Sequence, residues 1–325
     1  MIVDLFAGPG GWDEGLRMLG REGVVGVEWD ESACKTAEAA GHRRILADVA
    51  ALDPSDFADA EGLIASPPCQ AWSLAGKQLG ELDRANCHTL AECMAEGDDS
   101  IDWTEWADPR SHLVVQPVRW VRELRSEWVA LEEVPAVLDY WHHLARIFEG
   151  WGYHVWVGVL NAADYGVPQT RKRAILIASR VRKVHRPAST HSRIPSMFTP
   201  NWVSMAEALG WDASEAIRPA RGAGMIERHG DRPDHPASEP APTIISKARS
   251  WSRFLAGTNV SDGHYRTRSV DEPAQTITSQ ARSFRWSGTS ELPVAEPGIK
   301  GGDMTKKAAP GRAVSVPVSV QEAGV

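Results

Sequence analysis

Over the first 180 residues, short apolar runs alternate with stretches of helical spacing. MIVDLFA, GVVGVEW, RRILADV, EGLIASP, EWVALEEV, HVWVGVL and RAILIAS are rich in β-branched and apolar residues and are bounded by turn formers. They predict seven strands. Between the first two, Trp12, Leu16 and Leu19 fall on one face of a helical pattern. ESACKTAEAA, stopping at Gly41, predicts a second helix, and AVLDYWHHLARIFEG another with His142 and His143 at its surface. Strands alternating with helices predict an α/β fold with a doubly wound, mostly parallel sheet covered on both faces.

After Arg180 the periodicity fades. Residues 181–325 are rich in Pro, Ser, Thr, Arg and Trp, which predicts a smaller, loop-rich second domain. The expected boundaries are 1–180 and 181–286, with 287–325 as a flexible connection and end. EPAPTIISKARSW (239–251) and EPAQTITSQARSF (272–284) agree at nine of thirteen positions. Two copies are too few for a solenoid and fit a duplicated strand-turn unit.

Composition narrows the class only modestly. Hydrophobic residues at 42% and charged residues at 24% describe an ordinary soluble chain. No apolar run reaches membrane-spanning length and no secretory signal opens the chain. Four scattered cysteines do not make a disulfide framework, so reduced thiols in a cytoplasm are expected. The net charge of −8 argues against nucleic acid until its distribution is considered. Residues 171–193 carry eight Lys and Arg and no acid, while 81–109 form an acidic insertion with nine acids and one Arg. A local basic patch suffices to meet phosphate.

Four segments carry candidate chemistry. DLFAGPGG (4–11) joins the first strand to the first helix, where glycines let backbone approach a ligand. Three residues past Gly10 stands Asp13, which breaks the G-x-G-x-x-G pattern of a dinucleotide site. Glu28 ends the second strand and is placed to hold ribose hydroxyls. Trp29 beside it can pack on a purine, and Asp48, after the third strand, can accept from an exocyclic amine. SPPCQAWS (66–73) follows the fourth strand, with two prolines fixing the direction of the Cys69 thiol. LEEVP (131–135) offers Glu132 for proton transfer. In VPQTRKRAILI (167–177), Gln169, Arg171 and Arg173 can hold a polar ring and phosphates, the two arginines falling on one face if the strand begins there.

In this order FAGPGG, EWD, ADV, PPCQ, EEV and QTRKR resemble the ordered motifs of the DNA cytosine-5 methyltransferases, over about residues 1–180. The resemblance implies a Rossmann-like domain that binds S-adenosylmethionine and a second domain that recognises double-stranded DNA. Phe6, Ala7, Gly8 and Gly10 would hold the methionine part, Glu28 the ribose, Trp29 and Asp48 the adenine, with Trp12 and Pro68 completing the cofactor set. Cys69 would be the nucleophile, Glu132 the catalytic glutamate, and Arg171 and Arg173 the arginines beside the target base. Gln70, Gln169, Arg182, Lys183 and Arg186 would face DNA. RSVDEPAQTIT (268–278) resembles the motif that organises the recognition domain, and 236–244 is a weaker version of it. The implied protein is a monomer of restriction-modification type, for which an endonuclease partner is compatible.

Two departures qualify the resemblance. Where the family usually has Glu-Asn-Val, with the Asn bracing the proline–cysteine loop, this chain has Glu132-Glu133-Val134. The family's closing Gly-Asn-rich motif follows a segment like SVQEAG, and the chain ends there; the expectation is a cofactor pocket lacking one wall, impaired turnover, and exposure of Leu16 and Leu19. Two other readings stand beside the main one: a non-catalytic DNA-binding relative, and an enzyme acting on transfer RNA. Cys87, His88 and Cys93 lack a second ligand pair at zinc spacing, so no metal site is expected. Trp202, Trp211, Trp251 and Trp286 are assigned mainly to core packing.

Overall fold

Strand order reverses in the middle of the sheet, and that reversal organises the rest of the architecture. The computed structural model describes residues 1–72, 79–99, 106–219, 235–243 and 251–255. Eight strands fall in the first part of the chain: β1 Ile2–Leu5, β2 Val24–Glu28, β3 Arg43–Leu46, β4 Gly62–Ala65, β5 Trp128–Glu133, β6 His154–Asn161, β7 Gln169–Thr170 and β8 Lys172–Ser179. Seven of them form one sheet in the order β3-β2-β1-β4-β5-β8-β6. The first five run parallel, and β8 lies antiparallel between β5 and β6. The seven runs predicted from apolar patterning are these seven strands; β7 is a two-residue addition.

Burial follows sheet position. All four residues of β1 and all four of β4 are buried, as central parallel strands covered on both faces require. The edge strand β3 carries Arg43 and Arg44 and exposes both its ends. Helices α1 Gly11–Met18 and α2 Glu31–Ala39 make the crossovers on the β1–β3 side, and α3 Gly80–Glu96 and α4 Gln116–Leu124 lie between β4 and β5. Right-handed crossovers that travel in opposite directions from the sheet centre place these pairs on opposite faces. Helix α5, Leu138–Gly150, follows β5 and packs on β6 and β8. Trp72, Trp120, Trp141, Tyr140 and Phe148 are the largest side chains of the shared core.

Two expectations need correction here. The acidic 81–109 stretch is integral to the fold: α3 buries Asp83, Cys87, Leu90, Ala91 and Met94. Asp83 accepts from the Ala107 and Asp108 amides and from the Ser111 hydroxyl, at 2.8, 3.0 and 2.6 Å. The acids on its outer side had masked that apolar spacing. His143 is buried rather than superficial, its ring 4.2 Å from His88 on α3, while His142 is exposed. Burial lowers the pKa of both His88 and His143. Burial also pushes the Cys87 thiol up to about 12 and leaves it an inert donor to the Ser111 carbonyl.

Beyond β8, helix α6 Met205–Leu209 precedes β9 Glu215–Pro219, β10 His235–Pro236, β11 Ala241–Pro242 and β12 Trp251–Leu255. β9 pairs antiparallel with β10 and β12 to make a small three-stranded sheet. The second repeat copy, the 268–278 segment, Trp286 and the 287–325 connection lie outside the described residues. Among the described residues no helix is long and apolar enough to cross a membrane.

Helix α1 is fastened to the edge of the sheet by a dry ion pair. Arg44, with no side-chain exposure, reaches Asp13 at 2.8 Å, and its Nε donates to the Gly8 carbonyl at 3.2 Å. Removing one member of such a pair strands the other charge in the interior, at a cost of about 3–5 kcal/mol. Arg44→Met is therefore expected to lower the urea-unfolding free energy by that amount, and Asp13→Asn added to Arg44→Met to restore part of it. An Arg44→Met protein of wild-type stability would show that the pair does not hold the helix.

Candidate active site

The chain turns away from the centre of the sheet immediately after β1, in a shape that ordinary residues avoid. Phe6, Gly8 and Gly10 all have positive φ, at 58°, 54° and 111°. At Gly10 a Cβ would approach the His42 ring to 2.7 Å, so the position tolerates only glycine. Phe6 adopts the left-handed region without that excuse, a strain usually kept where backbone must meet a ligand. The turn is held from outside: the Ala7 amide donates to the Val27 carbonyl, and the Gly8 amide to Glu28 Oε2 at 2.9 Å.

Glu28 is nearly buried, and its other oxygen accepts from the Trp29 and Asp30 amides, both at 2.8 Å. One carboxylate thus links the turns after β1 and β2. The Trp29 indole is 67% exposed. Asp48 lies in the turn after β3, exposed, with Oδ1 accepting from the Ala50 amide at 2.9 Å. That turn is clamped by Arg119 of α4, whose guanidinium donates to the Leu52 carbonyl at 2.8 Å and the Val49 carbonyl at 2.9 Å. Arg44 and Arg119 were missed from sequence because each acts through the backbone of a distant turn, which leaves no local pattern.

The turn after β4 lies beside the one after β1, because β1 and β4 are neighbours in the sheet. Trp12 Nε1 donates to Ser66 Oγ at 2.8 Å, joining α1 to the start of this turn. Pro67 is buried and Pro68 half-buried, and Cys69 opens a 3-10 turn, Cys69–Ala71. Trp72 anchors the far end in the core beneath the Arg84 guanidinium, 5.3 Å from its ring. Cys69 and Gln70 are exposed. Solvent reaches the thiol, yet neighbouring protein desolvates it enough to raise its pKa, with the Glu133 charge adding to the rise and Arg173 opposing it.

At the end of β5, Glu132 Oε1 takes Arg173 Nε at 2.7 Å and Arg171 Nη2 at 3.2 Å. The two arginines do not share a strand face, because β8 begins at Lys172 and Arg171 sits in the break between β7 and β8; they converge instead on one oxygen of Glu132. Partial burial lowers the pKa of the Arg173 guanidinium. Gln169 is committed elsewhere, since β7 pairs parallel with β11 and Gln169 Nε2 donates to the Pro242 carbonyl at 3.4 Å. The first repeat copy therefore contributes a strand beside Arg171. Arg182, Lys183 and Arg186 are exposed on the segment after β8 and make no ion pair among the described residues. Trp202, assigned to packing, bonds Asp164 through its Nε1 at 2.9 Å.

The C-5 cytosine-specific DNA methylase family model matches residues 1–95 and 103–285. The type II methyltransferase M.DdeI of Desulfomicrobium norvegicum is 30% identical, with 64% of this chain and 47% of that protein aligned. M.NgoPII of Neisseria gonorrhoeae is 31% identical, over 55% of this chain and 48% of its own length. M.AquIA of Picosynechococcus sp. is 28% identical, over 58% and 76%. The chain thus spans about half the length of two of these relatives and three-quarters of the third. With a family model covering most of its residues, the chain belongs to the C-5 cytosine-specific DNA methylases.

Proposed function

We propose that the protein transfers the methyl group of S-adenosylmethionine to carbon 5 of a cytosine within a specific double-stranded DNA sequence, through a covalent adduct to Cys69. The observation that carries this reading is the grouping of an exposed Cys69 with a Glu132 carboxylate held by Arg171 and Arg173. That grouping stands at the same end of the sheet as the Glu28–Trp29 cradle. Ligands of open α/β sheets bind in the crevice where strand order reverses, and here the reversal falls between β1 and β4.

The cradle fits the proposed cofactor. A strained turn with a bare Gly8, an acid at the end of β2 and an exposed indole next to it suit an amino-acid tail, a ribose and a purine in that order. Phe6, Ala7, Gly8, Gly10, Trp12 and Pro68 would enclose the methionine end, Glu28 would receive the ribose hydroxyls, and Trp29 and Asp48 would take the adenine. Bound there, S-adenosylmethionine supplies an electrophilic methyl.

Cys69 does the covalent work. Its thiolate adds to carbon 6 of cytosine, and the displaced electron pair moves through the ring. Glu132 protonates or hydrogen-bonds the ring nitrogen, so carbon 5 gains enamine character and accepts the methyl. Transfer of the carbon 5 proton to solvent water then expels the Cys69 sulfur as thiolate, and return of the ring-nitrogen proton to Glu132 restores the aromatic ring. Arg171 and Arg173 orient Glu132 and stand beside the base. A cytosine within a duplex is out of reach, so the base must swing out of the stack. Residues 181–286 are assigned to reading the sequence, with Arg182, Lys183 and Arg186 on phosphates and Gln70 at the base, while Gln169 holds β11 through the Pro242 carbonyl; a restriction endonuclease partner is compatible with this reading.

DNA carrying 5-fluorocytosine should trap a covalent complex, because fluorine does not leave as a proton does, and Cys69→Ser should abolish trapping while DNA binding persists. Wild-type methylation by Cys69→Ser would sink the mechanism. Trp29→Ala should weaken S-adenosylmethionine binding about tenfold by calorimetry, the worth of one good stacking contact, and leave the melting temperature unchanged because the indole is exposed. An unaltered Kd would mean the indole does not meet the adenine. Replacing Arg182, Lys183 and Arg186 together by Gln should weaken binding to every DNA sequence. The plot of log K against log salt should flatten by about 0.9 for each phosphate that is no longer neutralised. Loss of affinity for one sequence only would assign them to base reading instead.

A further inference from the structure

Glu133 is the one carboxylate at the catalytic end of β5 that the mechanism above does not use. It is 1% exposed. One oxygen accepts the Val134 amide, and the other, Oε1, is buried with no hydrogen-bond partner. β5 lies beside β4 in register, Leu131 opposite Ala65, so Glu133 stands at the root of the turn that carries Cys69. Of the two glutamates there, Glu133 acts on the Cys69 thiol more strongly than Glu132 does.

We propose that Glu133 is a positioning residue for Cys69: buried at the root of the nucleophile turn, it leaves the thiol undisturbed as a neutral acid, and on ionising it puts a negative charge beside the thiol and suppresses thiolate formation. The inference rests on the reading of Cys69 as nucleophile. An ionised carboxylate with one oxygen unpartnered in a dry interior costs far more than the protonated acid in the same place. Burial accordingly pushes Glu133 up to about 8. The charged groups acting on it are few. Glu132 on the same strand raises its pKa further; Arg173 from β8 and the Val134 amide pull it down. Cys69 lies in the turn after the neighbouring strand β4 and feels its charge, and α3 sends Arg84 to the Ala136 carbonyl, three residues farther along. A thiol and a carboxyl within reach of each other oppose one another's ionisation.

Alkylation of Cys69 by iodoacetamide, followed site by site by mass spectrometry on the DNA-free protein, reads the thiolate directly. In the wild type, the log of the rate should rise with pH at a slope below one between about pH 7 and 9, as the growing Glu133 charge holds the thiol back. Glu133→Gln keeps the shape and removes the ionisation. It should match the wild type within twofold at pH 6.5 and react at least about fivefold faster at pH 9, where the wild type carries the Glu133 charge beside its thiol and the variant does not. Glu133→Asp, which restores an acid, should bring the suppressed slope back. A wild-type slope of one, or a constant ratio of the two rates at all pH values, overturns the proposal even if Glu133→Gln folds poorly, since the first needs no variant. The same profile measured for methyl transfer separates the two readings. Reactivity that follows Glu133 in a protein that transfers no methyl sustains the coupling and rejects the proposed activity; methylation with no Glu133 effect does the reverse.

Discussion

The Glu28 carboxylate is the point on which the geometry of the site turns. The strand order reverses between β1 and β4, and a crevice opens there only if the backbone after β1 bends sharply aside. Three positive φ angles in five residues are not a shape that this turn holds for its own sake. Glu28 receives the Gly8 amide with one oxygen and the Trp29 and Asp30 amides with the other. It satisfies three main-chain donors at once, aligns two strand ends, and directs the Trp29 indole outward. Arg44 closes the same turn from the opposite side through the Gly8 carbonyl. A hydrogen bond to a charged group is worth about 1.5–3 kcal/mol, so this set can offset the strain of one or two unfavourable dihedrals.

The sheet end therefore concentrates acids that the fold must accommodate in different ways. Asp13 is neutralised by Arg44, Glu28 by main-chain amides, and Glu132 by two arginines. Asp4 on β1 is fully buried with neither oxygen hydrogen-bonded, and burial with the Asp13 charge raises its pKa well above the usual range. Asp4 and Glu133 share one consequence for stability. A carboxyl that keeps its proton in the folded chain and releases it in the unfolded chain favours folding less as pH rises. For Glu133 that contribution is complete below the ordinary 4.5 and is lost as pH climbs through about 8. The site is assembled at the expense of alkaline stability.

Much of this was legible in the sequence, for identifiable reasons. The central strands are short β-branched runs that cannot be helices, and the chemistry-bearing segments sit just past their ends, where spacing alone locates them. Cys69, Glu28 and Glu132 stand at such ends. What escaped depends on contacts between parts far apart in the chain. Arg119 acts on carbonyls about seventy residues away, and nothing in QPVRWVREL announces that. Asp83 reads as one more surface acid until its three donors, 24 to 28 residues on, are seen. His143 misled because a histidine next to another histidine looks solvated, whereas its ring packs on His88 of a helix about fifty residues earlier. The pairing of β7 with β11 was equally hidden, two residues meeting two.

That small pairing has a mechanical meaning. Arg171 is the single residue between β7 and β8, and its carbonyl is taken by the Ala162 amide. On one side β8 is built into the main sheet; on the other, Gln169 and Thr170 are zipped to Ala241 and Pro242, reinforced by the Thr243 hydroxyl on the Thr170 carbonyl at 2.6 Å. Arg171 is thus a one-residue link between a rigid anchor and a strand supplied from seventy residues farther along the chain. The guanidinium that meets Glu132 is therefore seated by two pieces of backbone that have no other reason to be near each other, and the later of them is as much a part of the catalytic corner as the main sheet.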